Sequence, residues 1–199
     1  LQAQGASTTG DIYTSIDRVA TAVQSEHPDL RRQAAPDGTV TIMFTDIENS
    51  TPLNETMGDA KWMELLHEHN AVVEGGVRTH GGRVVKNRGD GYMLIFRRPD
   101  RGLDCAVAIQ EALAGHAVIR VRIGLHIGNP VREGEDFFGT DVNLAARVAD
   151  RALGGQVFVS ARLHDLLKDE HAGRFGEPVE VELKGLAGAH RVYRVEVAP

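Results

Sequence analysis

Hydrophobic positions change period several times along this chain, and each change marks an element. Residues 9–26 carry Ile12, Ile16, Val19, Ala20 and Val23 at helical spacing, which predicts one amphipathic helix. His27-Pro28 and the polar stretch to Pro36-Asp37-Gly38 read as a linker. Val40-Thr41-Ile42-Met43-Phe44-Thr45 is apolar and β-rich, as a buried strand is. Ser50-Thr51-Pro52 can cap and open a helix. Residues 59–80 return to the helical period through Trp62, Leu65, Leu66, Val72, Val73 and Val77, and His80-Gly81-Gly82 stops it. Residues 83–86 and 92–96 read as strands joined by Asn87-Arg88-Gly89-Asp90-Gly91, a hairpin with a glycine-flanked aspartate at its tip. Helices are expected at 99–113, 139–152 and 161–167, strands at 117–128, 156–159, 179–183 and 191–197, and a turn or short arm at 133–135.

Helices that interleave with strands around an embedded hairpin favour an α+β fold. The expected sheet is mixed and mainly antiparallel, with helices packed on it, rather than doubly wound and parallel. The linker divides the chain into an N-terminal helix and linker, 1–38, and one main domain, 39–199.

Composition narrows the function classes. The net charge of −6 disfavours a generic nucleic-acid binder, and 5% aromatic residues disfavour a stacking platform for single strands. Cys105 is the single cysteine, so no disulfide forms within the chain and a cytoplasmic location is the simplest expectation. No apolar run approaches the ~18 residues of a membrane span, so this domain is expected to make no membrane contact itself. The chain opens on Leu1 and reads as a fragment, which leaves room for a larger or membrane-attached protein around it.

The candidate chemistry is acidic. Asp46 ends an apolar strand, where an aspartate alone would be a helix cap. Asp90 sits in Gly-Asp-Gly, where alone it would be turn chemistry. If strand and hairpin are sheet neighbours, both carboxylates project from one end. Two hard oxygen ligands without His or Cys suit Mg2+ or Mn2+, and such a pair can hold two ions about 3.5–4 Å apart for nucleotidyl transfer. Cations that could meet phosphates are Lys86 before the hairpin, Arg122 in mid-strand, with alternation open to either face, Arg147 on one helix face with Asn143, and Lys184 before Gly185.

These pieces, in this order, resemble the class III adenylyl and guanylyl cyclases of bacterial type, over about residues 39–197. The signature runs are Phe44-Thr45-Asp46-Ile47, Lys86-Asn87-Arg88-Gly89-Asp90-Gly91, Arg122-Ile123-Gly124-Leu125-His126-Ile127-Gly128 and Phe138-Gly139-Thr140-Asp141-Val142-Asn143-Leu144-Ala145-Ala146-Arg147. The resemblance implies the ferredoxin-like βαββαβ core of the cyclase homology domain. It implies Asp46 and Asp90 as metal ligands for two Mg2+ or Mn2+ ions per site, with the Ile47 backbone carbonyl beside them. It implies Lys86 and Asp136 as the base-reading pair, a combination that suits adenine, since Asp accepts from its exocyclic amine and Lys donates to a ring nitrogen. It further implies Asn143 at the ribose, Arg147 at the α-phosphate, and Arg122 and Lys184 at the triphosphate. The arm at Gly134-Glu135-Asp136-Phe137-Phe138 is short for the family, and Asp141 is a rival carboxylate there. ATP is the implied substrate and a head-to-tail homodimer the implied assembly, one subunit supplying the aspartates and the other Asn143 and Arg147. A guanylyl cyclase, and a catalytically weak or silent nucleotide-binding or dimerisation module, stay open as alternatives.

Other tempting patterns carry little. Gly-x-x-x-x-Gly-Lys-Ser/Thr is absent, so there is no P-loop, and Gly-Gly-Asp/Glu-Glu-Phe is absent, so a diguanylate cyclase lacks its mark. His67 and His69 stand two apart and cannot share a helix face. Asn49-Ser50-Thr51 fits a glycosylation acceptor only by coincidence in a cytosolic protein. Arg88-Gly89-Asp90 spells an adhesion tripeptide whose aspartate is better used on a metal.

Overall fold

β1 (Val40–Ile47) is buried at every position, so it lies inside a sheet covered on both faces. The computed structural model describes residues 14–129 and 135–197. After β1 come α2 (Ser50–Met57), α3 (Asp59–Thr79), β2 (Arg83–Arg88), β3 (Gly91–Phe96), α4 (Pro99–Leu113), β4 (Val121–Gly128), α5 (Glu135–Asp150), β5 (Val157–Ser160), α6 (Ala161–Leu167), β6 (Phe175–Glu182) and β7 (Ala189–Val195). α1 (Ser15–Glu26) precedes them, and a 3-10 turn at Arg31–Gln33 tightens the segment read as linker. The seven strands run in the order β2-β3-β1-β4-β5-β7-β6, antiparallel except for β4 beside β5. The first four, with α3 and α4 between them, form the βαββαβ core in the order β4-β1-β3-β2. This is the α+β class with a mainly antiparallel sheet that the alternation of elements predicts.

The two faces have different covers. Met43, Ile47, Leu94, Phe96, Ile123 and Leu125 point to the face under α3, α4 and α6. Val40, Ile42, Phe44, Met93 and Ile95 point to the other, under α1 and α5. β4 explains its Arg-x-Gly-x-His-x-Gly alternation there. A Cβ on Gly124 would lie 2.1 Å from the Ala149 backbone nitrogen, and one on Gly128 2.1 Å from the Asp141 carboxylate. Both positions must therefore be glycine for α5 to lie down on the sheet.

α1 shares this second core. Thr14 and Asp17 form a capping box at its start, and Ile16, Val19, Ala20 and Val23 are buried against β1, β3 and α5. Burial of Ile16, Val19 and Val23 contributes on the order of 1.5–3 kcal/mol each.

Some boundaries differ from the sequence reading. β4 starts at Val121 rather than 117, because the His116 ring accepts from the Val118 and Ile119 amides and turns that stretch. α5 begins four residues before 139, and β6 begins at Phe175 rather than 179. The expected arm at 133–135 falls largely outside the described residues.

Cys105 is a core thiol, fully buried in α4. Burial pushes it up to about 12, so the thiolate is scarce at neutral pH. A maleimide or disulfide reagent at pH 8 is expected to leave the native chain unlabelled and to modify Cys105 once guanidinium unfolds it. Rapid labelling of the native chain would contradict this packing.

Candidate active site

Alternation along β1 carries Asp46 to the α1/α5 face, after Val40, Ile42 and Phe44. Directly across the ladder stands Arg122 of β4. Its guanidinium grips the Asp46 carboxylate with two bonds, Nε to Oδ1 at 2.9 Å and NH2 to Oδ2 at 2.6 Å. The face of Arg122 that alternation left open is thereby decided by β1–β4 pairing.

Asp90 occupies the two-residue loop between β2 and β3, with Gly89 ahead of it at φ +63°. It is 4% exposed although it sits at a hairpin tip. Its Oδ2 accepts from the Ile47 N–H at 2.9 Å and its Oδ1 from the Ser15 hydroxyl at 2.6 Å. β1 and the hairpin are sheet neighbours, and both carboxylates meet at one end. The Asp46 carboxyl is pushed up to about 6, chiefly by burial, with the nearby charges of Asp90 and Asp150 adding and Arg122 pulling against them.

Lys86 reaches the same face through a bulge. The β2–β3 register slips between Val84 and Lys86, so Lys86 faces Met93. Unbroken alternation would pair Lys86 with Tyr92, on the α3/α4 side. The Lys86 ammonium instead meets Glu26 at the end of α1, at 2.6 Å.

Asn143 and Arg147 lie one turn apart on α5. Arg147 donates from Nε to Asn143 Oδ1 at 3.3 Å, from NH1 to Asp150, and from NH2 to Asp17 of α1. No hydrogen bond among the described residues joins Asn143 or Arg147 to Asp46 or Asp90. The first turn of α1 holds both, with Ser15 on Asp90 and Asp17 on Arg147.

The remaining expected residues separate. Asp136 lies in the first turn of α5, with its side chain outside the described residues. The rival carboxylate, Asp141, is committed elsewhere: it meets the His126 ring at 3.1 Å and accepts from the Asn129 N–H at 2.9 Å. His126 in turn meets Ser160 at 2.8 Å, which ties α5 and β4 to the end of β5, where Ser160 caps α6. Lys184 follows β6, on the sheet edge opposite the β2–β3 hairpin. Ser15, Asp17, Glu26 and Asp150 were not picked out from sequence. Asp150 was findable, since it stands three residues after Arg147 on the same helix. Asp17 shows only as the last residue of Thr-x-x-Asp.

The donor set suits a hard divalent cation. Two buried carboxylates oppose each other's charge, and among the described residues no group of three or more His, Cys, Asp and Glu competes as a metal cage. Mg2+ in particular takes one or two carboxylates and fills its sphere with water and phosphate oxygens. Arg122, Arg147 and Lys86 lie on the same face, so cationic side chains that suit phosphate oxygens stand beside the carboxylates.

Comparison with known proteins gives a consistent result. The adenylate and guanylate cyclase catalytic domain family matches residues 32–196. An uncharacterised Mycobacterium tuberculosis protein is 36% identical over 129 residues, 64% of this chain and 34% of that protein. An adenylate cyclase of Mycosarcoma maydis is 33% identical over 188 residues, 79% of this chain and 7% of that protein. The chain therefore spans about a third of the first relative and less than a tenth of the second. A solved adenylate cyclase of Trypanosoma brucei, in its monomeric state, shares the fold with a TM-score of 0.75 at 23% identity, over 85% of this chain and 92% of that one.

Proposed function

The chain belongs to the adenylate and guanylate cyclase catalytic domain family, and from that premise we propose that it is an adenylyl cyclase. It converts ATP to 3′,5′-cyclic AMP and pyrophosphate at a site shared by two copies of the chain. In this reading residues 39–199 are the catalytic domain and 1–38 the helix and linker before it. The observation that carries the reading is the gathering of Asp46, Asp90, Arg122, Lys86, Asn143 and Arg147 on one sheet face, with no hydrogen bond among the described residues between the aspartate pair and the Asn143–Arg147 pair. A partner's α5 facing the aspartates completes the constellation, and twofold symmetry makes two such sites.

Asp46, Asp90 and the Ile47 carbonyl would hold Mg2+ or Mn2+, which supplies charge neutralisation at the triphosphate and eases loss of the ribose 3′-hydroxyl proton. The rest is positioning by the chain's own groups. Asn143 orients the ribose so that its 3′-oxygen faces the α-phosphorus in line with the leaving pyrophosphate. Arg147 stabilises the charge that builds on the α-phosphate oxygens. Arg122 and Lys184 hold the outer phosphates. Lys86 and Asp136 read the adenine edge, and this pair favours ATP over GTP. The cell compartment proposed is the cytoplasm, where ATP is available; no helix among the described residues is long and apolar enough to cross a membrane.

The test is incubation with ATP or GTP, each with Mg2+ or Mn2+, and separation of the products by chromatography. Cyclic AMP from ATP, well above cyclic GMP from GTP, is expected. Dominant cyclic GMP would make the chain a guanylyl cyclase. No cyclic nucleotide in any of the four mixtures, nor from the α1 variant described below, would make it a silent nucleotide-binding module.

A further inference from the structure

α1 touches three of the residues assigned to substrate and cation, each with a group that imitates what the residue would otherwise bind. Ser15 sets its hydroxyl on Asp90 at 2.6 Å, and it comes from the positive end of a helix dipole. Asp17 offers a carboxylate to Arg147, and both side chains are more than four-fifths buried. Glu26 offers a second carboxylate to Lys86 at 2.6 Å. The fit is close: a Cβ on Gly91 would lie 2.8 Å from the Ser15 carbonyl oxygen, so α1 leaves no room for a side chain at that point of the hairpin. Between these polar contacts, Ile16, Val19, Ala20 and Val23 seal the face against β1, β3 and α5.

We infer that α1 is an intramolecular pseudosubstrate: seated, it stands in for the cation at Asp90 and for substrate anions at Arg147 and Lys86, and a second copy of the chain must displace it to build the shared site. This rests on the shared-site reading above. The apolar residues of α1 hold it in place, whereas its polar groups set what it excludes. Seating of α1 and completion of the site are thus competing states of one face, and whatever weakens one strengthens the other. Strand β1 and helix α5 keep their places in both states, because β1 is paired on both sides and the glycines of β4 lock α5 down.

The test uses the whole chain with three substitutions, Ser15→Ala, Asp17→Asn and Glu26→Gln. These remove the clasp and leave the buried apolar side chains of α1 and every site residue intact. Three readouts are compared with wild type: hydrogen exchange of the α1 amides, association by sedimentation with Mg2+ and ATP present, and cyclic AMP formed at low chain concentration. Faster exchange in α1, tighter association and higher turnover are expected, each by at least about fivefold, the lower range of allosteric coupling. A second chain, Gln24→Cys with Gly139→Cys, joins α1 to α5 where the Gln24 amide now reaches the Gly139 carbonyl at 3.5 Å. Closing that pair with a thiol-cleavable linker is expected to block association and turnover, and reduction to restore both. Unchanged exchange and association in the triple variant, or full activity in the linked chain, would overturn the inference. If the triple variant loosens α1 and associates but makes no cyclic nucleotide, the cyclase reading fails while the competition between α1 and a second copy stands.

Discussion

Arg147→Ala is expected to lower kcat by roughly 10²–10³-fold, the loss seen when a donor to developing transition-state charge is removed. KM for ATP should change far less, because the interaction belongs to the transition state. The position also fastens α1 through Asp17 and neutralises Asp150, so thermal melting must show that the variant still folds. The sharper form of the experiment mixes two inactive chains. Asp90→Asn keeps an oxygen to accept from Ile47 or Ser15, and Asn143→Ala removes only one long bond to Arg147, so both should spare the fold. Each alone is expected to lose about 10²-fold or more. In a heterodimer one site carries both lesions and the other carries neither. Random mixing of equal amounts then restores about a quarter of the wild-type sites. No recovery, with association demonstrated, would place all the groups in one chain and sink the shared site.

Arg122→Met is expected to cost roughly 3–5 kcal/mol of stability, because it leaves the Asp46 carboxylate buried without its counter-charge. Denaturant midpoints in the presence of a chelator would measure it. Adding Asp46→Leu to the same chain should return most of the loss, since replacing a whole buried pair by apolar groups is often neutral. The effect has a pH signature. Asp46 in the folded wild type is already raised to about 6, above the carboxylate's ordinary 3.8, and removing Arg122 raises it further. Between those two values Asp46 in the folded chain holds a proton that the unfolded chain has released, so this group's contribution to stability falls as pH rises in both proteins. Above about 6 the wild-type Asp46 has lost its proton and its contribution levels off, whereas that of the variant keeps falling. The deficit of Arg122→Met should therefore widen between pH 6 and 8. A deficit under about 1 kcal/mol at pH 8 would show that the pair is not what settles Asp46 in the sheet.

The elements themselves were legible because their signals are local. Helical spacing at Ile16, Val19, Ala20 and Val23 defines the buried stripe of α1, and Gly89-Asp90 between two apolar runs defines the hairpin. Asn143 and Arg147 could be paired from sequence because four residues always bring side chains to one helix face. Asp46 and Asp90 were identifiable as a carboxylate pair once the motif order suggested that β1 and the hairpin are neighbours.

What only the tertiary structure decided lies between segments far apart in the chain. Lys86 changes face because one residue of β2 bulges against β3, and a two-residue period read along β2 alone puts it on the wrong side. Arg122 meets Asp46 because β1 and β4 pair in one register, which no pattern within either strand specifies. The place of α1 is the strongest case: its sequence announces an apolar stripe but not what covers it, since burial is non-directional and any apolar face would serve. The shape of the groove between β3 and α5, with Asp90, Arg147 and Lys86 along its rim, chose that site. Local periodicity thus settled which side chains share a face within an unbroken helix or strand, and long-range pairing and packing settled where a bulge moves a residue across and what each face meets.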